Sequence, residues 1–93
     1  MTILQLSRLP RVLEQRGDSR SNLYRDIDAG MWTRPVSLGP RYSAWPQHEV
    51  DALVSARIAG CSNDEIRALV RALEAQRKQM APSIDAGTAP AAA

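Results

Sequence analysis

The chain has 93 residues, 44% of them apolar, and a net charge of +2 from twelve basic and ten acidic side chains. This length allows one small folded domain with a tail but excludes two separate hydrophobic cores. Since Cys61 is the single cysteine and no apolar run approaches about 20 residues, we expect a cytoplasmic protein with neither an internal disulfide nor a membrane span.

The basic residues are concentrated in the first half of the chain. The segment from Arg8 to Arg41 contains seven arginines and four acidic residues, which gives it a net charge of +3. Arginine binds phosphate and guanine through paired hydrogen bonds that lysine cannot copy. The codons of a GC-rich genome also produce many Arg and Ala residues, so this excess indicates nucleic-acid binding only together with other features.

Two short helices separated by a tight turn are predicted first along the chain. Pro10 suits the first turn of a helix that ends at Gly17. Ser19 can cap a second helix, which runs to Ala29 with Gly30 as its left-handed stop. Two helices joined by a short glycine-containing turn form a helix-turn-helix.

A small β-hairpin, or wing, is predicted after the second helix. Segments 36–38 and 43–45 alternate in polarity, and the Gly39-Pro40 pair between them is typical of a turn. Two strands alone are only marginally stable in water, so we expect the hairpin to pack on the helices. The residues expected to make these contacts are Trp32, Val36, Leu38 and Trp45.

Two further helices are predicted in the second half. Pro46 opens the third, which Gly60 ends, and a capping box from Ser62 to Glu65 starts the fourth, which reaches about Lys78. The apolar stripe of the fourth helix either covers the same core or pairs with another copy of the chain. The expected buried faces are Val50, Leu53, Val54 and Ile58 on the third helix and Ile66, Leu69, Val70 and Leu73 on the fourth.

The runs RLPRVLEQRGDSRSNLYRDIDAG and RPVSLGPRYSAWPQHEVDAL resemble the AlpA-type phage regulators and the excisionase-like proteins related to them. The resemblance covers Leu9 to Ile58. Its most specific elements are Ser-Arg-Ser-x-Leu-Tyr, Pro-Val-x-Leu-Gly-Pro-Arg, and Trp followed by Glu-Val-Asp-Ala. It implies a mainly α fold with a small β-hairpin, a winged helix-turn-helix of the MerR and excisionase type that binds DNA. Members act as transcription regulators or as recombination directionality factors, which help an integrase excise a mobile element.

The expected domain organisation follows from these elements. Residues 7–60 form the winged helix-turn-helix, residues 61–80 a C-terminal amphipathic helix, and residues 81–93 an Ala- and Pro-rich tail. The tail is too low in complexity to build a core, so we expect it to be disordered.

The second helix and the wing carry the side chains that we expect to contact DNA. If Leu23 and Ile27 face the core, the opposite side of this helix faces outward, where Arg can read guanine and Asn can read adenine. The helix N-terminus suits a phosphate, and the wing can reach the backbone or a narrow minor groove. The predicted DNA-binding residues are Ser19, Arg20, Ser21, Asn22, Tyr24, Arg25, Arg34, Arg41 and Tyr42.

Some of these positions have alternative interpretations. Tyr42 can instead pack across the hairpin, and Asn22 can instead form a local polar pair with Asp26. Arg67 and Arg71 on the fourth helix are a further candidate contact surface. Asp26 and Asp28 weaken the attraction for phosphate, so we expect them to turn away from DNA.

Catalytic function is not expected. His48 is the only histidine, and with Cys61 as the only cysteine no zinc cluster of familiar spacing can form. The chain has no glycine-rich phosphate loop, and we predict no cofactor, metal or enzymatic activity.

The first functional hypothesis is a sequence-specific protein of a prophage or other mobile element, located at the nucleoid. It would bind double-stranded DNA in several cooperative copies, with a cognate integrase as a candidate partner, and act as an excisionase, as a transcription regulator, or as both. The second hypothesis is a protein-interaction module whose helix-turn-helix face contacts an integrase or a regulator, with DNA binding incidental. Asp26 and Asp28 are the sequence features that favour it.

Overall fold

The computed structural model describes residues 4–80, which form three short strands and four helices. The tail predicted for residues 81–93 lies outside the described residues. All four predicted helices and both predicted strands are present, together with an additional short strand near the start. In chain order the elements are β1 (Leu6–Ser7), α1 (Leu9–Arg16), α2 (Arg20–Asp28), β2 (Val36–Gly39), β3 (Tyr42–Pro46), α3 (Gln47–Ile58) and α4 (Asn63–Gln79).

The turn between α1 and α2 is made by local interactions that the sequence predicts. Gly17 has a φ of 68°, a left-handed conformation that costs glycine little, and its N–H donates to the carbonyl of Leu13 over 2.9 Å. Ser19 caps α2 by accepting a hydrogen bond from the backbone N–H of Asn22 over 3.2 Å. The predicted helix-turn-helix is confirmed.

The wing belongs to a three-stranded antiparallel sheet with the order β1-β3-β2. Strands β2 and β3 form the predicted hairpin, and β1 pairs with the other edge of β3, with Ser7 opposite Trp45. A two-residue strand has no periodicity, so sequence alone did not indicate β1. The third strand supports a hairpin that would be marginal by itself.

The core is a single cluster to which all four helices contribute. Trp45 is almost fully buried, and its indole N–H donates to the carbonyl of Thr33 over 2.9 Å. The apolar stripe of α4 packs on this same cluster, so it is covered within one chain. The buried members are Val12, Leu23, Trp32, Trp45, Val50, Leu53, Ile66, Val70 and Leu73.

Two predicted core residues are instead exposed. Leu38 is 41% exposed, because the register of the β2–β3 pair shifts between Ser37 and Gly39 and breaks the expected alternation. Ile58 is 81% exposed, because it is the last residue of α3 and extends past the core.

A buried ion pair connects α3, α4 and the segment before the wing. Glu49 is fully buried, and its two carboxylate oxygens accept hydrogen bonds from the Nε and Nη2 atoms of Arg77 over 2.8 and 2.6 Å. The same Nη2 donates to the carbonyl of Arg34 over 2.7 Å, and Glu74 accepts from the N–H of Arg34 over 2.8 Å. The end of α4 therefore fixes the backbone that enters the wing.

A second charge network holds α1 against α2. The guanidinium of Arg16 lies within 2.9 Å of Asp18 and 2.8 Å of Asp26, and its Cζ atom is 4.6 Å from the centre of the Trp32 ring. Arg57 of α3 also approaches Asp26, at 3.6 Å. Asp26 therefore points to internal partners.

The buried ion pair generates a stability prediction. Replacing Arg77 with Ala leaves the carboxylate of Glu49 buried without a counter-charge, which we expect to lower the free energy of unfolding by about 3 kcal/mol. This is the lower end of the usual range, because the Arg77 side chain keeps 24% exposure. Urea denaturation measures the change. Arg71→Ala, an exposed arginine of the same helix, should cost less than about 0.5 kcal/mol, and equal losses for both variants would contradict the assignment.

The start of α2 generates a pH prediction. Hydrogen bonds from the Asn22 side chain and the Ser19 N–H lower the pKa of Asp18 to about 2, from an ordinary 3.8. A lowered pKa in the folded state means that Asp18 stabilises the fold above about pH 4 and loses this contribution as the pH falls toward 2. A carbon-13 NMR titration should show the Asp18 carboxyl with a midpoint near 2. Asn22→Ala should raise this midpoint, and an ordinary midpoint in the unmodified protein would rule out the hydrogen-bond network.

Candidate nucleic-acid interface

The arginines of the described chain fall into two groups. Four of them pair with carboxylates: Arg16, Arg57, Arg67 and Arg77. The other seven form no ion pair within residues 4–80, which leaves their charge available to an external anion. These are Arg8, Arg11, Arg20, Arg25, Arg34, Arg41 and Arg71.

Three of the unpaired arginines meet at one cleft, which we call the basic cleft. It has a volume of about 480 Å³ and lies between the start of α1, the first turns of α2 and the wing. No acidic residue lines it. Its charged and aromatic lining consists of Arg8, Arg20, Tyr24, Arg41, Tyr42 and Trp45.

Arginine–tyrosine stacks shape both sides of the basic cleft. On α2, the Cζ atom of Arg20 is 5.8 Å from the centre of the Tyr24 ring. On the wing side, the Cζ atom of Arg8 is 4.7 Å from the centre of the Tyr42 ring. Stacking fixes the plane of a guanidinium while its N–H groups stay free to donate to an oxyanion.

Tyr42 both packs across the hairpin and lines the basic cleft, the two positions that the sequence allowed. It stands opposite Gly39 in the hairpin, where a Cβ atom on the glycine would lie 3.6 Å from the tyrosine ring, so the ring packs across the strands. It is also 50% exposed and lines the basic cleft.

Other predicted residues of α2 are bonded to each other. Asn22 donates its side-chain N–H to Asp18 over 2.6 Å, and its amide oxygen accepts a hydrogen bond from Arg25. Ser19 is used as the helix cap. The local partner of Asn22 is therefore Asp18 and not Asp26, and Asn22 can contact a base only by giving up these bonds. Ser21 is exposed and lies next to this group on α2.

Arg34 lies away from the basic cleft. It lines a different cleft of about 270 Å³, together with Arg67 and Arg71 and with the carboxylates of Asp28 and Glu74. Arg67 also donates to the carbonyl of Ala29 over 3.0 Å, so it helps to end α2. The predicted set of nine residues is thus divided: Arg20, Tyr24, Arg41 and Tyr42 share the basic cleft, and Arg34 belongs to a surface of mixed charge.

Arg8 is the residue of the basic cleft that sequence reasoning missed as a contact. It lies outside both the predicted reading helix and the predicted wing. Its position depends on the pairing of β1 with β3, which brings the start of the chain beside the base of the wing. No local signal in the sequence indicates that pairing.

The described part of the chain lacks metal-binding clusters and membrane-spanning helices. Residues 4–80 contain no group of three or more His, Cys, Asp and Glu side chains that could hold a metal ion. No helix in this range is long and apolar enough to cross a membrane. Cys61 is exposed, and His48 lies half-buried in the first turn of α3.

Comparisons with known proteins agree with this architecture. Over 53 residues the chain is 43% identical to the uncharacterized protein ORF88 of Enterobacteria phage P4, an alignment that covers 57% of this chain and 60% of that protein. No solved structure matches the chain. The family model of the prophage CP4-57 regulatory protein (AlpA) matches residues 5–58, which is more than half of the chain and includes α1, α2, the wing and α3. The chain therefore belongs to the AlpA family of phage regulatory proteins.

Proposed function

We propose that this member of a phage regulatory family binds double-stranded DNA at specific sites, with α2 in the major groove and the wing against the adjoining backbone. The observation that carries the proposal is the basic cleft, where arginines of α2 and of the wing meet with no acidic residue in the lining. A major groove admits one α-helix, and an arginine near the start of that helix can bind guanine through two hydrogen bonds.

The charge distribution supports α2 as the reading helix. Asp26 is 19% exposed and pairs with Arg16 and Arg57, so its negative charge is neutralised within the protein and is not presented on the outer face of α2. Tyr24 is 39% exposed beside Arg20, which places an aromatic and a cationic side chain together on the outer face. Such a pair suits contacts with bases and with the backbone.

Within this proposal, the protein serves its mobile element as a recombination directionality factor that assists an integrase, as a transcription regulator, or as both. A domain of this size reads only a few base pairs, so several copies would bind cooperatively along the DNA. The family description, which names a prophage regulatory protein, supports regulation, and the similarity to a protein of phage P4 supports a phage-derived element.

A protein-interaction role is the second candidate, and one observation favours it. An exposed apolar patch surrounds Pro46 and His48 and includes Leu4, Leu6 and Met80, which are 61%, 49% and 41% exposed. In the sequence, Asp26 and Asp28 favoured this role. Asp26 now supports it less than Asp28, because Asp26 forms an ion pair with Arg16. The patch and the basic cleft share no lining residue, so the two roles are compatible.

The first test is a gel-shift titration with DNA from the protein's own element. With about five phosphate contacts per copy, the logarithm of the binding constant should fall with the logarithm of salt concentration with a slope near −4 to −5. Arg20→Ala should weaken specific binding by about 1–3 kcal/mol and reduce discrimination between sites. Lys78→Ala, which removes the same charge at the end of α4, should have a much smaller effect. Absence of salt-dependent binding would refute the proposal, and unchanged discrimination in Arg20→Ala would refute α2 as the reading helix.

A second test separates the two regulatory roles. In an excision assay with the cognate integrase, a directionality factor should raise the yield of excised element, and Arg20→Ala should abolish this increase. A promoter-reporter assay with the same variants measures transcription. An effect on transcription alone would eliminate the excision role.

A further inference from the structure

We propose that Arg8 binds a phosphate of the DNA backbone and that the basic cleft is the site for that phosphodiester group. This inference rests on the proposed function, because it assigns a specific ligand group to the same surface. Arg8 lies in neither helix of the helix-turn-helix and in neither strand of the wing.

The fold places Arg8 at the junction of the two DNA-facing elements. Residue 8 directly follows β1, whose last residue, Ser7, pairs with Trp45 of β3. The side chain of Arg8 then extends over the ring of Tyr42 at the other end of β3. Arg20 of α2 lines the same cleft.

The contacts of Arg8 indicate a binding role more than a structural one. Its residue is exposed, and its guanidinium forms no ion pair and no side-chain hydrogen bond within residues 4–80. Although Arg8 occupies the N-cap position of α1, its side chain does not cap the helix. The guanidinium instead stacks on the ring of Tyr42, and this stack orders it without using its N–H donors.

The electrostatics of the basic cleft favour a phosphodiester oxyanion as the ligand. Arg8, Arg20 and Arg41 bring three positive charges to one cleft whose lining has no acid, so an anion between them relieves their mutual repulsion. A guanidinium matches phosphate with two parallel hydrogen bonds. The tyrosine hydroxyls of the lining are neutral donors that suit the same oxygens.

The position of the cleft identifies which part of the duplex fills it. If α2 occupies the major groove and the wing lies against the adjoining backbone, that strand of backbone passes between the two elements. The basic cleft lies between these same two elements. Arg8 would therefore meet a phosphate and not a base edge, and its contribution should not depend on DNA sequence.

The test compares Arg8→Ala with Arg11→Ala in the 93-residue chain. Arg11 is a matched control, because it is exposed and unpaired within residues 4–80 but does not line the cleft. Loss of one phosphate contact should reduce the steepness of the salt dependence by about 0.9 and weaken binding about tenfold near 0.1 M salt. The loss should be equal for specific and non-specific duplexes of the same length, whereas Arg11→Ala should change neither quantity.

Two further variants keep the test decisive if Arg8→Ala proves poorly folded. Arg8→Gln retains the length of the side chain without its charge and should show the same reduced slope. Tyr42→Leu removes both the stack and the hydroxyl, so it should weaken binding more when Arg8 is present than in the Arg8→Gln background, and Tyr42→Phe is the control that removes the hydroxyl alone. Circular dichroism confirms folding of each variant.

The outcomes separate this inference from the proposed function. If the unmodified protein binds DNA and the Arg8 variants behave like Arg11→Ala, the phosphate site is refuted while DNA binding stands. If the Arg8 variants lose affinity for the specific duplex alone, Arg8 reads sequence and the phosphate assignment is refuted. If the unmodified protein does not bind DNA, the proposed function fails and this inference fails with it.

Discussion

The buried carboxylate of Glu49 constrains the arrangement of the whole described chain. A charge without contact to water must be paired, and the pair with Arg77 meets this need through two hydrogen bonds of 2.6 and 2.8 Å. Because Arg77 also holds the backbone carbonyl of Arg34, the position of α4 and the start of the wing are fixed by one group. The carboxylate of Glu74, one turn earlier on α4, accepts a hydrogen bond from the backbone N–H of Arg34. The fourth helix is thus part of the frame that presents the wing.

The net charge of +2 does not show that the arginines fall into two groups with different surroundings. Three of the four arginines that pair with acids connect different elements: Arg16 joins α1 to α2, Arg57 joins α3 to α2, and Arg77 joins α4 to α3. The fourth, Arg67, pairs with Asp64 within α4. Those without acidic partners in the described range include the three that meet at the basic cleft. The paired acids therefore do not cancel the positive charge of the basic cleft. They bind arginines elsewhere in the fold, and an excess of positive charge remains where α2 approaches the wing.

The candidate interface is held together by contacts within the chain. Asp18, Ser19, Asn22 and Arg25 form a hydrogen-bonded group at the start of α2. The tyrosine stacks restrict the guanidinium groups in and beside the cleft. Such order reduces the conformational entropy that binding must remove, and the solvent-exposed N–H groups remain available.

Local sequence determined the elements of this protein, because each depends on neighbours in the chain. Gly17 and Ser19 mark the turn and the cap of the helix-turn-helix, and Ser62 with Glu65 marks the start of α4. Family likeness through the same segments indicated the helix and the wing that we propose to face DNA. Only the tertiary structure decided which charged side chains pair within the protein. Arg77 binds Glu49, which lies 28 positions earlier in the chain. Arg8 reaches the cleft because the neighbouring Ser7 pairs with Trp45, which lies 38 positions later. Exposure of Leu38 and of Ile58 likewise followed from a register shift and from the limited extent of the core. Long-range pairing has no signature in a local pattern, so the members of the basic cleft could be assembled only by the fold.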